Sequence, residues 1–192
     1  MLAKPSTWHM IGGNVLGTHA YPRAFSTALL RTWTSTLTLL GDPVVFGDYI
    51  AANGHSADGY RLRVYQAQDA TADRAVIPWF DVAPAVAGGR WFGSPVFGRL
   101  ITAALPSPHT VVYGLEGYAD AGSGTWRLRP RCYRADTGVE EPWPAQWIAV
   151  PYAANGIPSA SMTLSSNRLV VTVFGRTLNN AGDRIYLYDA TT

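Results

Sequence analysis

Glycine and proline interrupt this sequence so often that few long regular elements can form. The chain has 19 Gly and 13 Pro among 192 residues, and they recur at short intervals. Many belong to turn-forming clusters such as Asn53-Gly54, Asp58-Gly59 and Asp120-Ala121-Gly122, which create or tolerate tight reversals. The segments between these clusters suit short strands better than helices, because short helices need tertiary packing to be stable.

These segments alternate in polarity, as strands do. In residues 32–39, Trp33, Leu37 and Leu39 are predicted to share one face, and the intervening threonines the other. The remaining predicted strands span residues 44–51, 60–66, 76–82, 110–118, 125–134, 146–150, 159–164, 168–177 and 184–189. About ten short strands at this spacing predict an all-β fold of the β-sandwich or jelly-roll-like kind.

Two segments compete as short helices, so we expect at most one or two. Residues 22–31 begin with Pro22 at a first-turn position, and residues 96–105 place Phe97, Leu100 and Ile101 at helical spacing. Neither segment exceeds three turns.

The chain length fits one domain with a substantial core. We expect an extended N-terminal arm over residues 1–21 and a single β-sandwich domain over residues 22–192. No signal peptide is recognisable, and no apolar run approaches the ~20 residues of a membrane span. The prediction is a protein made in a cytoplasm, without a membrane partner.

Composition indicates a surface shared with other protein chains. Hydrophobic residues make up 47% of the chain and charged residues only 15%, below the usual quarter for soluble domains. Large apolar patches usually mark interaction sites. The predicted interface residues are Trp8, Tyr21, Arg127, Arg129, Arg131, Tyr186 and Tyr188.

The last two strands support the same interpretation, because both of their faces carry large side chains. One face is predicted to hold Leu169, Val171, Val173, Ile185 and Leu187, and the other Val170, Phe174, Tyr186 and Tyr188. One of these faces should form the sandwich core. The second, aromatic face is then covered by a loop, the N-terminal segment or a neighbouring subunit.

Three arginines form a row on one predicted strand. Arg127, Arg129 and Arg131 should point outward together, beside Arg61 and Arg63 if the two strands pair. Such a row can grip a partner's carboxylates or phosphates, or form a solvated face that discourages edge aggregation. The net charge of +2 is too small for a nucleic-acid footprint, so a protein partner is favoured.

No pattern of known chemistry is present. Cys132 alternates with Trp126 and Leu128 and is predicted to be a core residue. The four His lack metal-binding spacing. Glu116 is the least implausible catalytic acid, but a solvent-facing strand position is favoured. The sequence predicts no enzyme activity, no catalytic residue, no metal and no cofactor.

A carbohydrate-binding or receptor-recognition module is the alternative function. Exposed aromatic rings on a sandwich can stack against sugars, and the predicted stacking residues are Trp143 and Trp147, with Trp91 and Phe92 in a loop. Core packing or an interface is the competing explanation for these rings.

In overall character the chain resembles the small β-sandwich accessory proteins of tailed bacteriophage virions. The resemblance rests on short Thr- and Val-rich strands, Gly-Asn turns and the closing strand at residues 184–189. Proteins of this kind are head decoration proteins, head fibres and tail or baseplate adaptors. The resemblance implies a non-enzymatic structural protein located in the virion, whose partners are other virion proteins and copies of itself. It implies no site residues.

Overall fold

The computed structural model describes residues 37–47, 49–66, 80–102, 105–143, 145–151, 156–165, 167–174 and 183–190. Within these ranges the chain forms thirteen strands in three antiparallel sheets and contains no helix. The prediction of an all-β sandwich is therefore confirmed.

The first five strands form sheet I. They are β1 (Thr38–Leu39), β2 (Val44–Phe46), β3 (Tyr49–Ser56), β4 (Gly59–Gln66) and β5 (Phe80–Val82). The strand order is β1-β3-β4-β5, and β2 also pairs with β3. The predicted Asp58-Gly59 turn is confirmed, because Ser56 and Gly59 face each other across the β3–β4 hairpin.

Sheets II and III follow in chain order. Sheet II contains β6 (Arg90–Thr102), β7 (Leu105–Asp120), β8 (Thr125–Arg134), β9 (Glu140–Glu141) and β10 (Ile148–Pro151), in the order β10-β8-β7-β6 with β9 on β8. Sheet III contains β11 (Ser159–Ser165), β12 (Arg168–Phe174) and β13 (Arg184–Asp189), in that order.

Sheet II is the middle layer, because side chains from both of its faces are buried. One core cluster joins sheet I to sheet II and includes Leu62, Trp91 and Tyr133. The other joins sheet II to sheet III and includes Leu128 and Val171. Sheets I and III therefore each present an outer face.

The predicted helix at residues 96–105 is wrong, because this segment belongs to β6 and β7. Phe97 pairs with Val112, and Leu100 pairs with His109. Phe97 packs in the cluster toward sheet I and Leu100 in the cluster toward sheet III. A strand that is buried on both faces carries apolar residues on both. In this segment their spacing resembles that of the apolar face of a helix, which explains the wrong prediction.

Two predictions about turns are also wrong. Residues 44–51 form the β2–β3 hairpin rather than one strand, and Gly47 occupies the bend with a φ of 59°. Asn53 and Gly54 lie inside β3 rather than in a turn. Asn53 is buried and donates a hydrogen bond from Nδ2 to the carbonyl oxygen of Gly93 at 2.9 Å.

The first described strand differs from its predicted pattern. Leu37 is 6% exposed whereas Leu39 is 47% exposed, so these two side chains do not share a buried face. The predicted arm at residues 1–21, the predicted helix at 22–31 and residues 32–36 lie outside the described residues.

Candidate functional site

The arginine row on β8 is present, but each member pairs with a carboxylate. Arg127, Arg129 and Arg131 lie on the face of β8 that also carries Tyr133, the side on which sheet I packs. Arg127 Nε lies 3.3 Å from Asp120 Oδ2. The row is thus an internal ion-pair array rather than a free cationic surface.

Glu116 is the centre of this array. Glu116, Arg129, Arg131 and Glu140 together are called the Glu116 cluster. The Glu116 side chain is 1% exposed; its Oε1 accepts from Arg129 Nε at 2.7 Å, and its Oε2 accepts from Arg131 Nη1 at 3.1 Å and from the backbone N–H of Ala85 at 2.9 Å. The predicted solvent-facing position of Glu116 is therefore wrong, and the satisfied carboxylate acts as a structural anchor.

Glu140 closes the Glu116 cluster on its exposed side. Its Oε1 accepts a hydrogen bond from Arg131 Nε at 2.8 Å. This hydrogen bond and the positive charge of Arg131 lower the pKa of the Glu140 carboxyl, although burial acts in the opposite direction. Glu140 therefore stays ionised and balances the second arginine.

The expected pairing of this row with Arg61 and Arg63 is wrong. These two residues lie on β4 in sheet I, whereas β8 lies in sheet II. Both contact Asp81 on β5, at 3.6 Å from Arg61 Nε and 2.8 Å from Arg63 Nε.

Trp91 and Phe92 do not lie in a loop, contrary to prediction. They are adjacent residues of β6 and are 1% and 6% exposed. Trp91 Nε1 donates to the carbonyl oxygen of Val82 at 3.1 Å, and Phe92 packs edge-to-face against Trp126. Neither ring offers a face to a sugar, because each contributes to a core cluster.

Trp143 packs against the core between sheets II and III. Its ring lies 5.3 Å from that of Tyr113 and 5.5 Å from that of Tyr188. Its Nε1 donates to the carbonyl oxygen of Asp189 at 2.9 Å. Trp143 therefore ties the segment after β9 to the end of β13.

Trp147 lies against the opposite face of sheet II. Its ring meets that of Tyr118 edge-to-face, with centroids 5.2 Å apart, and the Arg129 guanidinium carbon lies 4.4 Å from the indole centroid. Trp143 and Trp147 therefore do not form the predicted common stacking platform.

The residues of β12 and β13 that share a face of sheet III are not the ones predicted. Val170 pairs with Leu187 and Val171 with Tyr186, so the tyrosines join the buried valines and the aliphatic residues of β13 face outward. Tyr186 and Tyr188 pack against the core cluster. The uncovered face carries Ile185 and Leu187 with Phe174, and the two tyrosines lie on the covered face.

The outer face of sheet III carries an exposed apolar patch beside polar residues of β11 and β12. Ile185 and Leu187 are 70% and 63% exposed, and Phe174 is 49% exposed. Val170 lies beside Leu187 on this face, whereas Ser161 and Thr172 are its polar neighbours. Among the described strands, β13 pairs only with β12, so the patch extends to an open sheet edge.

A groove of about 440 Å³ runs between β10 and β13, which are edge strands of sheets II and III among the described strands. It is called the edge groove. Its lining combines aromatic rings with small and polar groups: Gln146, Trp147, Ile148, Ala149, Tyr186, Leu187 and Tyr188.

Cys132 is buried, as predicted, and burial raises the pKa of its thiol to about 12. Over the described ranges, no group of three or more His, Cys, Asp or Glu side chains could hold a metal ion. No helix long and apolar enough to cross a membrane occurs in those ranges either.

Two predicted interface residues, Trp8 and Tyr21, lie outside the described residues. The exposed apolar patch on sheet III and the Glu116 cluster were not predicted from the sequence. Alternation shows which residues of one strand share a face, but the register between two strands decides which of their faces lie on the same side of the sheet.

No protein-family model, curated protein or solved structure matches this chain. Its function is therefore argued from the surfaces that the three sheets present.

Proposed function

We propose that this chain is a non-enzymatic structural protein of a tailed-phage particle and acts through protein–protein assembly. Its place is capsid decoration, a head fibre or the tail and baseplate, and its partners are other virion proteins and copies of itself. The observation that carries the assembly role is the exposed apolar patch of Ile185, Leu187 and Phe174 on the outer face of sheet III, which extends to the open edge of β13. The particle assignment rests on the resemblance of the sequence.

Burial of this face supplies the driving force for assembly. Ile185 and Leu187 stand next to each other on one strand and are mostly exposed. Burying one such side chain fully contributes about 1.5–3 kcal/mol. A patch of this kind on a sheet favours contact with another protein over solvent.

The patch suits contact between two copies of the chain. When the outer faces of sheet III of two copies pack together across a two-fold axis, Ile185 and Leu187 of both copies are removed from water. The edge of β13 stays open in that arrangement.

Charge supports a protein partner over nucleic acid. The arginines of β8 are paired with Asp120, Glu116 and Glu140, and the net charge is +2. Nucleic-acid binding instead requires several cations free to contact phosphates.

The alternative, a carbohydrate- or receptor-recognition module, loses most of its predicted stacking residues. Trp91 and Phe92 are buried, and Trp143 packs on the core. Of the four predicted rings, Trp147 lines the edge groove.

Labelling of particles tests the virion assignment. An antibody against the purified chain should decorate tailed particles released from the host that carries this gene, at regular positions in electron micrographs. The variant Ile185→Thr/Leu187→Thr should be made in normal amount but should be lost from purified particles. Particles that lack the chain altogether, or that incorporate the variant as well as the wild type, would count against the proposal.

A further inference from the structure

The edge groove is large enough to hold a small ligand. Its volume of about 440 Å³ lies within the range of roughly 300–1,000 Å³ that is typical of ligand sites. Three of the seven residues that line it, Trp147, Tyr186 and Tyr188, have aromatic rings with a polar atom at one end.

Two side chains of sheet II hold the Trp147 indole in place. Arg129 lies over its ring at 4.4 Å, and Arg129 is in turn fixed by a 2.7 Å hydrogen bond to the buried carboxylate of Glu116. Tyr118 supports the same indole edge-to-face. Since the ring is supported before any ligand arrives, little side-chain entropy is lost on binding.

The opposite wall is also fixed. The Tyr188 hydroxyl donates to the carbonyl oxygen of Gln146 at 3.4 Å, so β13 is tied to the segment that leads into β10. Burial raises the pKa of Tyr188 to about 12, so its phenol keeps its proton at neutral pH. Gln146 is exposed and can both donate and accept through its side-chain amide.

Charge identifies the kind of ligand. None of the seven described residues that line the groove is acidic or basic. Aromatic faces suit the apolar C–H faces of a ligand, and amide and phenol groups suit its hydroxyls. An ionic ligand would find no counter-charge in the lining, whereas a neutral, ring-shaped, hydroxyl-rich ligand matches it.

We propose that the edge groove binds neutral pyranose rings of a glycan, with Trp147 as the stacking residue and Gln146 as a hydrogen-bonding residue. A peptide strand fits the groove less well. The β10 edge is only four residues long and ends in Pro151, which has no N–H to donate.

The site shares Leu187 with the assembly surface, whereas Trp147 and Gln146 line the groove and lie outside that surface. Substitutions of Trp147 and Gln146 leave Ile185 and Leu187 unchanged. A loss of sugar binding and a loss of assembly can therefore be observed separately.

Titration of the full-length ¹⁵N-labelled chain with cellotetraose, chitotetraose and maltotetraose tests the proposal. The indole Nε1–H signal of Trp147, assigned by its loss in Trp147→Phe, should shift with at least one sugar, while that of the buried Trp91 should not. Trp147→Ala should weaken binding about tenfold or more, and Trp147→Phe should recover part of the loss. Gln146→Ala, at an exposed position that cannot unfold the chain, should weaken binding severalfold.

Phe174→Ala is the matched control, because Phe174 is an exposed ring outside the groove. It should bind the sugar as the wild type does. The proposal is overturned if no sugar shifts the Trp147 signal, if Phe174→Ala weakens binding as much as Trp147→Ala, or if only a synthetic peptide with the sequence of residues 184–189 shifts it.

Discussion

At the scale of single residues, Glu116 is a charged side chain that is buried in the packed interior next to sheet II. It lies between two arginines and a backbone N–H, so its negative charge is neutralised where water cannot reach it. Removal of one partner from such a buried arrangement leaves the others uncompensated. Glu140 contacts the same Arg131 from the solvent side, where water can replace it.

This difference predicts unequal effects of two similar substitutions. Glu116→Ala should lower the free energy of unfolding by about 3–5 kcal/mol, because it leaves Arg129 and Arg131 without their buried partner. Glu140→Ala should cost about 1 kcal/mol or less, because its side chain is 45% exposed. Urea-induced unfolding of both variants measures the two losses. Equal losses would show that the burial of Glu116 does not determine its contribution.

The sequence predicted single residues well where alternation alone decides their position. Cys132, Trp126 and Leu128 are buried as expected. It failed for Glu116 and Trp91 for a common reason. Both lie on the face of sheet II that sheet I covers. The polarity pattern of a single strand does not show that a further sheet packs on this face.

At the scale of elements, the irregularity of β6 joins the three sheets. The register between β6 and β7 shifts between Phe92 and Val96, and Gly93 has a φ of 57°. The Gly93 carbonyl accepts the hydrogen bond of Asn53 from sheet I. A Cβ at Gly93 would lie 2.7 Å from the carbonyl oxygen of Ala160 in sheet III.

Alanine substitutions at Gly93 and Gly47 therefore separate the cost of backbone strain from the cost of steric overlap. Both have positive φ, but a Cβ at Gly47 meets nothing within 4 Å. Gly47→Ala should cost about 1–2 kcal/mol from backbone strain alone. Gly93→Ala should cost about 1–3 kcal/mol more, because the methyl group forces β6 and β11 apart. Thermal or urea unfolding measures the difference, and equal costs would contradict the close approach of β6 to sheet III.

Strand existence was more predictable than strand limits. The strand at residues 125–134 and the hairpin at Gly59 agree with the sequence patterns, because regular alternation or a turn signal defines them. The β2–β3 hairpin and residues 96–105 did not agree. The hairpin has a turn signal in Gly47-Asp48 that the prediction of one strand overlooked. In residues 96–105 apolar residues continue across an irregular register between Leu100 and Thr102, so the polarity pattern gives no sign of the two strands.

At the scale of the whole molecule, sheet III can contact another protein only through its outer face. Its inner face packs on sheet II through Leu169, Val171 and Val173. Its outer face exposes Ile185 and Leu187 to solvent. The proposed self-association therefore depends on side chains that contribute little to the fold of a single copy.

The solution mass of the purified chain, measured by light scattering across a dilution series, tests this central claim most directly. The wild type should form a multimer that dissociates on dilution, and Ile185→Thr/Leu187→Thr should be monomeric at the same concentrations, since threonine preserves strand propensity while removing apolar surface. Val139→Thr, at an apolar position that is 59% exposed elsewhere on the surface, should behave as the wild type. A wild type that is monomeric throughout, or a double variant that still assembles, would contradict the account.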